Sequence, residues 1–189
     1  MSAVATSTGS DSGVYVLECN DPGFYYVGAS EHLQDRLAAH QSGAGAAQWV
    51  RAHGGVLRVH APMEPQNPSL DLWEQAETVN RMLRHGFDRV RGWEFHRIGR
   101  LNEGELLTLK MLTFGKVQAC RVCGHTDHMA SRCPRGEKHD WLLNIDQRIA
   151  ELRLNKEEEE EQKDEVVEEN SNSFQEVATF NYGPSLANL

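Results

Sequence analysis

Residues 13–40 read GVYVLECNDPGFYYVGASEHLQDRLAAH, and the fold turns on this stretch. Val14, Val16 and Leu17, with Tyr15 among them, give residues 13–19 the apolar and aromatic character of a strand. Asp21-Pro22-Gly23 supplies turn chemistry, because proline presets one turn dihedral and glycine accepts a positive φ. FYYVG over 24–28 then reads as a second strand, so the two form a hairpin. Ser30 is a suitable helix N-cap, Glu31 suits a first turn, and Leu33 and Leu37 stand four apart in a helix that reaches His40.

Working outward, QSGAGAAQWV is a glycine-rich loop entering a short helix around residues 46–53, and GVLRVH over 55–60 reads as a third strand. PMEPQNPS is a proline-rich loop. Residues 70–85 carry a helical stripe of Leu72, Ala76, Val79 and Leu83, which Gly86 closes. Residues 87–98, FDRVRGWEFHRI, read as extended chain mixing arginine with aromatics. A helix is expected near 103–113, and Trp141, Ile145, Ile149 and Leu152 keep helical spacing in a short amphipathic segment.

The run CRVCGHTDHMASRCP places Cys120, Cys123, His128 and Cys133 at CCHC spacing. Three thiolates and one imidazole close a tetrahedral Zn²⁺ site and leave no position for a reacting water. Gly124 follows the second cysteine, where the chain must turn tightly. His125 comes too early for the spacing, so His128 is the preferred ligand. The pattern matches a zinc knuckle, a module that grips unpaired nucleic acid. One structural zinc per chain is therefore expected.

Net charge is −9, which taken alone argues against a polyanionic partner. Its distribution argues otherwise. Residues 154–189 hold ten acids against two lysines, whereas residues 81–138 hold twelve Lys and Arg against six acids. The acidity sits in a tail, and the part around the knuckle is basic. No apolar run approaches the length of a membrane span, and no secretory or transit pattern opens the chain. The reading is a nuclear or cytoplasmic protein, not secreted. Cys19 falls in the first strand without an evident partner.

Gly13-Val14-Tyr15 and Tyr26-Val27-Gly28, followed by Arg36 and His40, resemble the two triplets and the helix residues of the GIY-YIG endonuclease family. ETVNRMLRHGFDRVRG also resembles a subgroup of that family in which the domain precedes a CCHC knuckle. The resemblance implies an α/β (α+β) fold, a small three-stranded antiparallel sheet flanked by helices, matching the order of elements above. It implies Tyr15 as general base or water-positioning group and Tyr26 as a phosphate or proton-relay partner. Arg36 and His40 stand one helical turn apart, on one flank of the helix. Arg36 suits a phosphate oxygen, and is also the cation that would lower the Tyr15 pKa from about 10. The family further implies one catalytic Mg²⁺ or Mn²⁺ held by a glutamate on a later helix. Glu74 and Glu77 compete: the alignment through Val90-Arg91-Gly92 favours Glu74, and the helix phase favours Glu77. Glu74 is preferred.

These residues lead to a metal-dependent endonuclease that hydrolyses phosphodiester bonds in DNA and holds single-stranded or branched regions with its knuckle. The alternative is a non-catalytic nucleic-acid-binding protein on a decayed nuclease scaffold. The expected organisation is a disordered leader (1–12), nuclease domain (13–98), helical linker (99–117), knuckle (118–135), short amphipathic helix (136–155) and disordered acidic tail (156–189). The tail is a candidate site for a basic protein partner, and no membrane partner is implied.

Overall fold

The computed structural model describes residues 11–63, 69–134 and 136–179. Most of the expected leader, the centre of the proline-rich loop and the last ten residues of the acidic tail lie outside them. Residues Met1–Leu143 form one compact unit and Asn144–Leu189 a second.

The first unit is built on a hairpin of β1 (Gly13–Cys19) and β2 (Tyr25–Ser30), in the register Tyr15 to Gly28 and Val16 to Val27. β3 (Val56–Met63) pairs antiparallel with the other edge of β1. The sheet has four strands where three were expected, in the order β3-β1-β2-β4. The extra strand, β4 (Val90–Arg91), is two residues long and parallel to β2. So short a strand leaves no alternation to read; it exists because Val90 and Arg91 are fully buried beside Tyr25 and Tyr26.

β1 is buried on both faces, which explains its nearly unbroken apolar run. Tyr15, Leu17 and Cys19 pack with Tyr26, Leu33, Trp49 and Val50 on the side of α1 (Leu33–Ser42) and α2 (Gln48–Ala52). α3 (Leu70–His85) covers the opposite face, inserting Val79 and Met82. Its expected stripe is displaced: Leu72 is exposed, and Thr78, Val79 and Met82 are the buried residues. α1 starts later than its sequence suggests. Ser30 ends β2 and its hydroxyl accepts the His32 N–H, so the hairpin strand wins the residue that would have capped the helix.

Arg91 has no exposed surface, and its guanidinium donates to the carbonyls of Phe87, Val90, Arg97 and Gly99 while lying 4.3 Å from the Trp49 ring centre. Those bonds organise residues 87–99 around one buried cation. α4 (Glu103–Val117) begins at a capping box between Asn102 and Glu105 and extends past the expected end at residue 113. α5 (Asp140–Thr179) is longer than the expected segment and continues as helix through most of the acidic stretch, where no regular structure was expected. Glutamate and lysine are strong helix formers, and Lys156 pairs with Glu160 one turn away. No helix among the described residues is long and apolar enough to cross a membrane.

Candidate active site

The hairpin creates the site by placing a glycine opposite a tyrosine. Gly28 faces Tyr15 across the ladder, and the Tyr15 ring lies over the Gly28 backbone. A Cβ at Gly28 would stand 2.4 Å from Tyr15 Oη and 2.5 Å from Cζ. No residue but glycine leaves the phenol where it is.

Two residues of α1 hold that phenol. Arg36 Nε donates to Tyr15 Oη at 3.2 Å, and Tyr15 Oη shares a 3.0 Å hydrogen bond with His40 Nε2. Arg36 also donates to the Gly45 carbonyl at 2.8 Å, so the loop after α1 fixes the guanidinium from behind. The Tyr26 hydroxyl lies within hydrogen-bonding reach of the same guanidinium. Tyr15, Tyr26 and His40 pack ring on ring, with centroids 5.5–6.4 Å apart. His40 is buried at the C-terminal end of α1.

The electrostatics correct one expectation. Arg36 does draw the Tyr15 pKa down, but burial and the Tyr26 phenol outweigh it, with Glu74 adding to the rise, and Tyr15 stands at about 12. Burial, then Glu74, raise Tyr26 as well. His40 moves the other way, to about 4, because burial and the neighbouring Arg36 disfavour an imidazolium. Both phenols and the imidazole are neutral at pH 7, so Arg36 alone does not make Tyr15 a base.

Glu74 reaches the same place from α3. Its Oε1 accepts the Trp93 backbone N–H at 2.8 Å, and the Ala29 N–H also interacts with the carboxylate. Burial raises its pKa above the ordinary carboxyl value, opposed by the Trp93 N–H. Glu77 faces elsewhere: Arg81 Nε donates to it at 2.6 Å, and Lys116 of α4 lies near. The helix phase that favoured Glu77 was counted from a stripe whose first member, Leu72, is exposed. No arginine or lysine pairs with Glu74 among the described residues. His96 is the basic group whose charge favours the carboxylate. A half-buried carboxylate with no Arg or Lys partner is a donor that suits a hard divalent cation. Three groups escaped the sequence reading: the Trp93 N–H, the Ala29 N–H and the Gly45 carbonyl. All are backbone atoms, and no residue type announces them.

A second cluster lies at the end of α4. The ligand atoms of Cys120, Cys123, His128 and Cys133 all fall within 4.8 Å of one another. Tetrahedral zinc with metal–sulfur bonds near 2.3 Å needs neighbouring sulfurs roughly 3.8 Å apart, so the cluster can hold a metal such as zinc. Asp127 Oδ1 meets His128 Nδ1 at 2.7 Å, which turns Nε2 toward the thiols, 3.3 Å from Cys123 Sγ. His125 is outside the cluster, with Nε2 3.2 Å from the Glu137 carbonyl. Burial opposes ionisation of Cys120, but the N–H groups of Cys123 and Val122 prevail and bring its thiol down to about 6. Gly124, at φ +82°, makes the turn, and its carbonyl accepts the Trp141 indole N–H at 3.2 Å. Phe114, Ala119 and Leu142 form the apolar seat below. Beside it, Phe114, Gly115, Ala119 and Met129 line an open groove of ≈ 470 Å³ with Arg121 among its walls.

Residues 11–59 match the GIY-YIG catalytic domain family. The four-stranded sheet flanked by helices is consistent with that fold. The matched stretch contains Tyr15, Tyr26, Arg36 and His40, and ends before Glu74. It points to nuclease activity in general and to nucleic acid as substrate. No curated protein and no solved structure matches the chain.

Proposed function

We propose that this protein is a divalent-metal-dependent endonuclease that hydrolyses phosphodiester bonds in DNA, with a structural zinc knuckle that grips single-stranded or distorted strands. The observation that supports this reading is the Tyr15 phenol held by Arg36 and His40, with Tyr26 packed beside it and Glu74 of α3 close enough to raise the proton affinity of both phenols. Hydrolysis adds a water oxygen to phosphorus, breaks the phosphorus–oxygen bond to the leaving strand, and returns a proton to that oxygen. Arg36 donates to Tyr15 and Gly45 and has Tyr26 within reach, which still leaves part of its five N–H donors for a phosphate oxygen. Glu74 would hold Mg²⁺ or Mn²⁺, which when bound supplies Lewis-acid stabilisation of phosphate oxygens. The Tyr15 hydroxyl, fixed by Arg36 and His40, would orient water at the phosphorus. The exposed Arg121 and Arg132 support a nucleic-acid role for the knuckle and its groove.

The test is incubation with supercoiled, branched and single-stranded DNA in Mg²⁺, Mn²⁺ or EDTA. Wild-type protein should nick or cut with either metal and not with EDTA. Arg36→Ala should slow cleavage by about 10²-fold or more. Glu74→Gln should stop cleavage and retain DNA binding. Wild-type protein inert on all three substrates, yet able to bind them, would refute the enzymatic reading and favour a nucleic-acid-binding module.

A further inference from the structure

Trp93 adopts a backbone conformation that a bulky residue seldom takes, and both of its N–H groups end on carboxylates of α3. Its φ is +47°. Gly92 and Phe95 exchange backbone hydrogen bonds of 3.2 and 2.9 Å, so Trp93 and Glu94 are the central residues of a two-residue turn. Among the described non-glycine residues only Trp93 and Gln118 have positive φ, so the turn is positive at its first central position and not at its second. That first position ordinarily belongs to glycine. The chain does place a glycine next door, at 92, where a Cβ would meet the Val27 carbonyl at 2.5 Å and Thr78 Oγ1 at 2.7 Å. It keeps a tryptophan at the strained position itself. A residue that breaks the local rule at the edge of a site asks for a functional reason.

The hydrogen bonds supply one. The Trp93 backbone N–H donates to Glu74 Oε1 at 2.8 Å, and the indole N–H donates to Asp71 Oδ1 at 3.1 Å. Asp71 and Glu74 stand three residues apart, on one face of α3. A residue's φ sets the angle between its own N–H and its side chain, and the positive value brings both donors of Trp93 to the same helix. Phe95, fully buried, braces the indole with ring centres 5.9 Å apart.

We propose that Trp93 is a positioning residue for the Glu74 carboxylate: its backbone N–H fixes the orientation of Glu74, and its indole N–H holds Asp71 apart from it. This rests on the reading of Glu74 as the cation ligand. Groups that orient a metal ligand from outside the coordination sphere typically change metal affinity 10- to 100-fold when removed.

The experiment measures Mn²⁺ binding to the full, zinc-loaded chain from the electron paramagnetic resonance signal of free Mn²⁺. Glu74→Gln serves as the reference for a lost site. Trp93→Gly relaxes the turn and keeps the backbone N–H while removing the indole. Trp93→Phe keeps an aromatic ring at the strained φ and removes the indole N–H. Both are expected to bind Mn²⁺ about tenfold more weakly than wild type, with circular dichroism and melting temperature showing an intact fold. If both bind like wild type while Glu74→Gln does not, the positioning role of Trp93 is overturned and Glu74 stays the ligand. If wild type binds no better than Glu74→Gln, the cation reading of Glu74 falls, and this inference with it.

Discussion

Gly28→Ala tests the geometry of the site more sharply than any charge substitution. Gly28 has an ordinary φ, so alanine suits its backbone and, in open space, would stabilise the fold by about 0.4–1 kcal/mol through the unfolded chain. The space is not open. The added Cβ meets Tyr15 Oη at 2.4 Å and Cζ at 2.5 Å, and Tyr15 is only 1% exposed, so the ring has no free volume to enter. Overpacking of this kind costs roughly 1–3 kcal/mol, and displacing the ring also breaks the bonds to Arg36 and His40, at about 0.5–1.5 kcal/mol each. A net loss of about 1–6 kcal/mol follows. Urea unfolding of the zinc-loaded chain would measure it, in wild type and in Tyr15→Leu, whose shorter side chain vacates the positions of Oη and Cζ. In the leucine background Gly28→Ala should be neutral or slightly stabilising, so the double-mutant cycle should report a coupling of about 2–6 kcal/mol. Equal effects in the two backgrounds would refute the argument that the phenol lies on the Gly28 backbone.

Glu77→Gln should leave cleavage within about threefold of wild type, because Glu77 is committed to Arg81 and not to the phenols; a loss as complete as that of Glu74→Gln, measured on supercoiled plasmid, would show that the ligand was misassigned. His128→Ala should lose the zinc and His125→Ala should keep it, as read by metal analysis of protein purified without chelator. His40 contributes a pH dependence whose sign is fixed. Its folded pKa of about 4 lies below the ordinary 6.5, so the unfolded chain binds the proton more readily and stability falls as pH drops from 6.5 toward 4. The loss attributable to this residue reaches about 3 kcal/mol, read as the difference in urea midpoint between wild type and His40→Asn across that range.

The hairpin was legible because its information is local. An apolar run, a turn with glycine and proline, and a second apolar run specify β1 and β2 without reference to the rest of the chain. The Cys3His cluster was legible for the same reason, since residue type and spacing survive any uncertainty about packing. β4 was not legible. Val90 and Arg91 join the sheet because Arg91 finds four carbonyl acceptors and the Trp49 face, and those partners are set by the tertiary fold. The phase of α3 was misread for a related reason. Leu72 suggested a core stripe, but the buried face runs through Thr78, Val79 and Met82, and the polar Thr78 carries no apolar signal. The acidic stretch after residue 155 reads two ways, because its charge density argues for disorder while its glutamates and lysines favour the helix drawn there.

The charges of the site imply an order of assembly. Tyr15, Tyr26 and His40 are neutral at pH 7, since burial holds the phenols protonated and the imidazole unprotonated. Arg36 and the Glu74 carboxylate remain as the opposed formal charges around the phenols. On the proposed reading, a phosphate drawn to Arg36 would come within the field of Glu74, which already raises the proton affinity of both tyrosines. Carboxylate and phosphate repel each other in a half-buried setting, where solvent screens poorly, unless a cation lies between them. The same cation would relieve the pressure that Glu74 exerts on Tyr15 and Tyr26, lowering the cost of phenolate character when substrate is present. On this reasoning the high pKa of Tyr15 is a property of the site before a cation and phosphate enter. Arg36 alone is too weak to overcome the burial that holds Tyr15 protonated.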